Sequence, residues 1–259
     1  MPIDSSIYYR LSDHGNGIQL PVILIHGAGG NHLFWPPEIR RMKGFRMYAL
    51  DLPGHGRSKG HGLQDIKTYA DIISNWMNSI KLNRAVIIGH SMGGAIALTL
   101  TRDHEEKVLG LGLISTGARL RVNPLILENT RYSQTFPAAL SFIISKSFGK
   151  DASPRLVSLA QRRMADIRPS VLHGDLLACN NFDLTASLQQ IKTPCSIVCG
   201  QDDKMTPPRY SQYLSEIITG ANLNLVPGAG HMVMLEKPQI VMDILKRFLE
   251  QIPFHPWQS

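Results

Sequence analysis

Short apolar runs punctuate the chain at intervals. They are Val22-Ile23-Leu24-Ile25, Arg46-Met47-Tyr48-Ala49-Leu50, Ala85-Val86-Ile87-Ile88, and residues 109–115, 195–199 and 223–226. Continuous apolar segments bounded by glycine and proline are what a parallel sheet covered on both faces requires, and each run is predicted to be a strand. Between them apolar residues recur at helical spacing. Ile66, Tyr69, Ala70, Ile73, Met77 and Ile80 follow Asp65, a candidate N-cap. Tyr210, Tyr213, Leu214, Ile217 and Ile218 form a second stripe, stopped by Gly220. Pro238 is placed for a first turn and opens a third stripe with Val241, Ile244, Leu245 and Phe248. Strands alternating with helices predict an α/β fold with a mostly parallel central sheet, helices on both faces and right-handed crossovers. Residues 7–11 are expected to add an antiparallel edge hairpin.

The rhythm breaks from about residue 119 to 190. Helical patterns and prolines (Pro124, Pro137, Pro154, Pro169) dominate there, and no strand-like run ends in a glycine-rich turn. This segment is expected to be a helical insertion, or cap, in a core formed by residues 1–118 and 191–259. Its apolar residues, Phe136 and Phe142 among them, need a surface to bury against, and the loop end of the sheet offers one.

Composition narrows the class. A chain of 259 residues, 43% hydrophobic and 18% charged, is one globular domain or one domain with an insertion, and disorder is excluded. The apolar runs fall far short of the roughly 20 residues a bilayer demands. The opening Met1-Pro2-Ile3-Asp4-Ser5-Ser6 lacks a basic run before an apolar core, so no secretory signal is expected. Three cysteines, Cys179, Cys195 and Cys199, make no disulfide framework and no metal-ligand pattern. A cytoplasmic protein with buried free thiols, no metal and no cofactor is expected. The net charge of +7 comes from scattered basic residues with no aromatic-interleaved stripe, which points to a solvated surface rather than a nucleic-acid or membrane partner.

The chemistry begins at Gly89-His90-Ser91-Met92-Gly93. A strand-like run precedes this string and helix formers follow it. So tight a strand-to-helix turn forces its serine into a strained conformation that flanking glycines alone accommodate, and it lifts the hydroxyl above the sheet. A serine hydroxyl needs a base to remove its proton and a carboxylate to orient that base. The candidates stand where later strands end, at Gly200-Gln201-Asp202-Asp203 and at Gly230-His231. In a parallel sheet those loops share the C-terminal edge with Ser91. The turn supplies the Met92 amide as one oxyanion donor, and Ala28, in the loop His26-Gly27-Ala28-Gly29-Gly30, is the choice for the second.

Taken together, His26-Gly27-x-Gly29, Asp51-Leu52-Pro53-Gly54-His55-Gly56-Arg57-Ser58, Gly89-x-Ser91-x-Gly93, Gly200-x-x-Asp203-x-x-x-Pro207 and Gly230-His231 resemble the α/β-hydrolase fold superfamily from about residue 5 to 250, the insertion excepted. The resemblance implies a serine hydrolase of carboxylesterase type acting on a small ester. Ser91 would be the nucleophile, His231 the base and Asp203, by the Gly-x-x-Asp spacing, the orienting acid, with Asp202 facing solvent or capping a local turn. It implies that His26, His55 and His90 are structural or line the pocket. As part of a cap, Phe136 and Phe142 are expected to line the acyl pocket, and the Asp51 to Ser58 loop is expected to brace the sheet edge. His61 and His173 are expected at the surface. Arg119 and Arg121 are expected to be solvated or salt-bridged, with an acidic substrate as the alternative. Lactonase, carbon–carbon hydrolase and cofactor-free perhydrolase chemistry on the same triad remain alternatives, as does a non-catalytic ligand-binding member.

Overall fold

The computed structural model describes residues 7–13 and 19–254. Among them seven strands form one sheet: β1 (Tyr9–Ser12), β2 (Pro21–Ile25), β3 (Arg46–Leu50), β4 (Ala85–His90), β5 (Val108–Ile114), β6 (Cys195–Gly200) and β7 (Asn222–Val226), in the order β1-β3-β2-β4-β5-β6-β7. Helices α1 (Pro37–Arg40), α2 (Ile66–Ser79) and α3 (Met92–Asp103) precede β5. Helices α4 (Pro124–Arg131), α5 (Phe136–Ser147), α6 (Pro154–Ala165) and α7 (Pro169–Asn181) lie between β5 and β6. Helix α8 (Pro208–Ile217) follows β6, and α9 (Val233–Glu236) and α10 (Pro238–Glu250) follow β7.

All pairings are parallel except β1 with β3, where Tyr9 stands opposite Leu50. The expected antiparallel edge is there, but it is no hairpin. The strand next in the chain, β2, is wholly buried between β3 and β4, so β1 reaches the edge by pairing with β3.

Side-chain parity explains why the strands read as continuous apolar runs. Val22, Leu24, Val86 and Ile88 enter one core, whereas Ile23, Ile25, Ala85 and Ile87 enter the other. Successive strand residues point to opposite faces, so both parities must be apolar when both faces are covered. Helices α1 and α10 cover the first face and α2, α3 and α8 the second. The Asp65 carboxylate accepts the Thr68 N–H at 2.8 Å and caps α2, whose Ile66, Tyr69, Ala70, Ile73 and Met77 are buried.

The segment between β5 and β6 is helical throughout its middle, and each of its four helices carries one of the four prolines in its first turn, where the missing N–H costs nothing. Its two ends meet at an isolated bridge between Arg119 and Asp183, and the Leu184 N–H donates to the Ala118 carbonyl at 2.8 Å. Ile143, Ile144, Met164, Leu172 and Leu176 join the same apolar cluster as α1 and α10. A fully buried side chain of this kind contributes about 1.5–3 kcal/mol, which holds the segment over one end of the sheet.

Candidate active site

Strand β4 runs into Ser91, and α3 starts at the next residue. Ser91 has φ 53° and ψ −116°, a conformation that costs a non-glycine residue about 1–3 kcal/mol and persists only where the surroundings dictate it. They do so here. The Ser91 N–H donates to the Ile114 carbonyl at 2.9 Å, and the Ser91 carbonyl accepts the Thr116 hydroxyl at 2.8 Å and the Gly94 N–H at 2.9 Å. A Cβ on Gly89 would strike the Gly93 carbonyl, and one on Gly93 would strike the Ile25 carbonyl. The two glycines let the turn pass between neighbouring backbones.

Asp203 follows β6 with its side chain fully buried. Its Oδ2 accepts from His231 Nδ1 at 3.0 Å and from the Thr206 hydroxyl at 2.9 Å, while Oδ1 accepts the N–H groups of Met205 at 2.8 Å and Thr206 at 2.9 Å. Burial pushes the acid's pKa upward, but the His231 charge and this set of donors outweigh it and hold Asp203 below the usual carboxylate range. Asp202 makes no bond to His231. Expected to face solvent or cap a turn, it is half-buried instead, because its N–H donates to the Ala229 carbonyl at 2.9 Å and draws it against the loop after β7. Thr206 was not singled out from the sequence. Its signal is a hydroxyl three residues after an aspartate that accepts local backbone N–H groups, a common short-range pattern.

The loop carrying His231 is clasped from two sides. Glu236 accepts the Gly230 N–H at 2.9 Å through one oxygen and the Gly149 N–H at 2.8 Å through the other, with burial raising its pKa. The Met232 N–H donates to the Ser147 carbonyl at 3.0 Å, so the end of α5 holds the same loop.

Among the described residues several other histidines have partners of their own. His26 donates from Nδ1 to the Gly27 carbonyl at 2.8 Å and accepts the Leu52 N–H on Nε2 at 3.1 Å, an arrangement open to the neutral ring alone. Burial, aided by the His55 charge, lowers its pKa to about 4. His61 is exposed, whereas His173 is half-buried against the Thr130 hydroxyl at 3.1 Å rather than lying free at the surface. Asp51 accepts the N–H groups of His32 and Arg57 and His32 Nδ1, and the Ser58 hydroxyl donates to its carbonyl, which knits residues 51–58 onto the sheet edge.

Ser91, His231, Ala28, Met205 and Thr206 line one cavity of about 810 Å³, its open mouth included. Its walls are largely apolar, with Leu120, Val122, Ile143, Met164, Leu172 and Leu176 among them. Phe136 and Phe142 are not in the lining. Phe142 is 42% exposed and one residue out of phase with Ile143, which does line the cavity, and Phe136 is buried two helical turns before Ile143. Of the two arginines, Arg119 pairs with Asp183 at 3.6 Å and Arg121 lines the cavity. Met92 is the first residue of α3, and among the described residues neither its N–H nor that of Ala28 has an acceptor within the protein. Two unengaged amides beside a hydroxyl on a strained turn, with a histidine–carboxylate pair in reach of the same cavity, suit acyl transfer.

The chain resembles known proteins over most of its length. The chain is 26% identical to a pimeloyl-[acyl-carrier protein] methyl ester esterase of Nitrosomonas europaea, covering 87% of this chain and 93% of that one. It is similar to the solved structure of a thermophilic esterase, with 32% identity, a TM-score of 0.81 and 95% and 98% of the two chains covered. The enol-lactonase from Burkholderia xenovorans LB400 superposes with a TM-score of 0.88 over 95% of this chain and 96% of that one, at 22% identity, a likeness of fold. A family model described as alpha/beta hydrolase fold matches residues 21–238, from β2 through β7 with everything between them, and the chain belongs to that family.

Proposed function

We propose that the protein is a serine hydrolase of small carboxylic esters working through an acyl-enzyme. The observation that carries this reading is the single cavity into which Ser91, on its strained turn, and His231, hydrogen-bonded to buried Asp203, both open. The esterase names among its relatives support it.

In the proposed reaction His231 takes the Ser91 proton at Nε2 as Oγ attacks the ester carbonyl. Asp203 accepts the Nδ1–H, which keeps Nε2 the basic nitrogen and stabilises the imidazolium. The N–H groups of Ala28 and Met92 receive the oxyanion. Collapse expels the alcohol, which takes the proton from His231, and the acyl group stays on Ser91. Water, deprotonated by His231, then attacks the acyl carbon and releases the acid while the proton returns to Ser91. Helices α4 to α7 act as the cap, their apolar side chains forming the acyl wall. Among the described residues no helix is long and apolar enough to cross a membrane. Three buried free cysteines, each with its pKa raised by burial, fit a cytoplasmic setting.

Turnover of p-nitrophenyl esters of graded acyl length, with lactones alongside, tests the reading. Wild type should hydrolyse the esters and be labelled by a fluorophosphonate at Ser91, and folded Ser91→Ala should do neither. Absence of turnover across the panel would favour a ligand-binding role, and activity surviving in Ser91→Ala would refute the mechanism.

A further inference from the structure

Asp175 lies in the middle of α7, within the helical insertion, and is completely buried. A carboxylate in such a place is unfavourable unless its oxygens are fully engaged. They are engaged by three segments of the α/β core. Oδ2 accepts the Gly29 N–H and the ring N–H at His55 Nε2, each at 2.7 Å, and Oδ1 accepts the Tyr69 hydroxyl at 2.7 Å. His55 faces an acceptor at both nitrogens, since its Nδ1 is 3.0 Å from the Pro53 carbonyl. Only the doubly protonated ring donates from both. Burial disfavours the charged ring, but the contacts with Asp175 and the Pro53 carbonyl outweigh it and raise the His55 pKa, and the His55–Asp175 contact joins the insertion to the core.

The consequence falls on the turn at residues 27–30. The Gly30 N–H closes it onto the Gly27 carbonyl at 3.0 Å, and Asp175 holds the Gly29 N–H. Gly29, at φ 63°, also packs so closely on Leu172 and Ile167 that a Cβ there would come within 2.9 and 3.0 Å of them. Ala28, between the two anchored glycines, keeps its N–H unengaged at the cavity. We infer that Asp175 is a positioning residue: from the insertion it sets the turn that presents the Ala28 amide to the developing oxyanion. A hole whose donors are held in advance needs no reorganisation as charge develops, so the effect belongs to the transition state more than to substrate binding. This inference rests on the proposed roles of Ser91 and the Ala28 amide.

The test compares wild type, Asp175→Ala, Asp175→Asn and Tyr69→Phe in two measurements. The first is steady-state hydrolysis of p-nitrophenyl butyrate, corrected for active sites titrated with fluorophosphonate. The second is inhibition by an alkyl trifluoromethyl ketone, which forms an oxyanion on the serine. Asp175→Ala should lower kcat about 30-fold, less than the loss of a whole donor, with KM within about twofold. The ketone's Ki should rise in parallel. Asp175→Asn, which keeps an oxygen for Gly29, should recover most of the loss. Should Asp175→Ala fail to fold, the same parallel between kcat and Ki is read in Asp175→Asn and Tyr69→Phe. Unchanged kcat in folded Asp175→Ala, or in Tyr69→Phe where Asp175→Ala does not fold, or a fall in kcat with no rise in Ki, would overturn the inference. Failure of the wild type to bind the ketone would instead sink the underlying serine mechanism.

Discussion

His90 Nε2 donates a hydrogen bond to the main-chain carbonyl of His231, 2.9 Å away, so the residue before the turn serine props the residue proposed as the base. The other nitrogen, Nδ1, has no partner among the described residues, and burial together with the His231 charge lowers the His90 pKa to about 3. His90 is thus a neutral donor throughout the physiological range.

That has a consequence for stability. In the unfolded chain a histidine binds its proton below about pH 6.5, whereas folded His90 stays neutral until about pH 3. The unfolded state therefore binds more protons in that window, and stability falls as pH drops from 6.5 towards 3, with no penalty above 6.5. His26, lowered to about 4, adds in the same direction. Urea unfolding at pH 7.5 and pH 5 should show wild type losing about 2 kcal/mol more than His90→Gln, whose amide can still donate to the His231 carbonyl. Equal losses in the two proteins would mean that His90 does not carry this penalty.

Asp203→Asn should lower turnover by on the order of 10⁴, the cost of the wrong imidazole tautomer in the serine-protease precedent, while leaving the protein folded. Asp202→Asn, at a carboxylate that does not touch His231, should change turnover about threefold or less. Steady-state kinetics with circular dichroism on both variants decides this, and the reverse order would move the acid to Asp202.

Gly93→Ala should destabilise the protein by more than about 3 kcal/mol or prevent its folding, because the new methyl group would overlap the Ile25 carbonyl of a central strand. Gly60→Ala is the control. Its φ of 87° also disfavours a side chain, but nothing lies within 4 Å, so strain alone should cost about 1 kcal/mol. Thermal melts showing similar losses for both would contradict the packing argument.

Ile143→Ala should shift the preferred acyl length upward, since it removes bulk from the cavity wall. Phe142→Ala should leave that preference where it is, its ring being exposed and stacked beneath Lys146 instead. Relative kcat/KM values for acetate, butyrate and octanoate esters measure both. A shift in Phe142→Ala alone would place the acyl chain on the other side of α5.

Much of this protein is written locally. Strands buried on both faces must be apolar at both parities, so β2, β4 and β6 are legible as unbroken runs without knowledge of their neighbours. The Ser91 turn is legible because its glycines are demanded by backbone contacts within a few residues and the strand beside it. Asp65 as a helix cap and Pro238 as a first-turn residue depend on nothing beyond their own helices. The insertion is legible as helical, and its four prolines mark where its helices start. What helical spacing left open is which side of each helix meets which surface. Phe142 and Ile143 are adjacent and equally apolar, and only the docking of α5 turns one to solvent and the other to the cavity. Helix α7 is buried around most of its girth, through Val171, Leu172, Gly174, Asp175, Leu176, Ala178 and Cys179, so no polar stripe marks its outer face or hints that its aspartate is paired. The bonds of Asp175 to Gly29, His55 and Tyr69, and the pairing of β1 with β3, depend on the folded core. The Asp175 contacts and the β1 pairing join residues distant in the chain, and such proximity is created by tertiary packing, not by any local preference of the residues that share it.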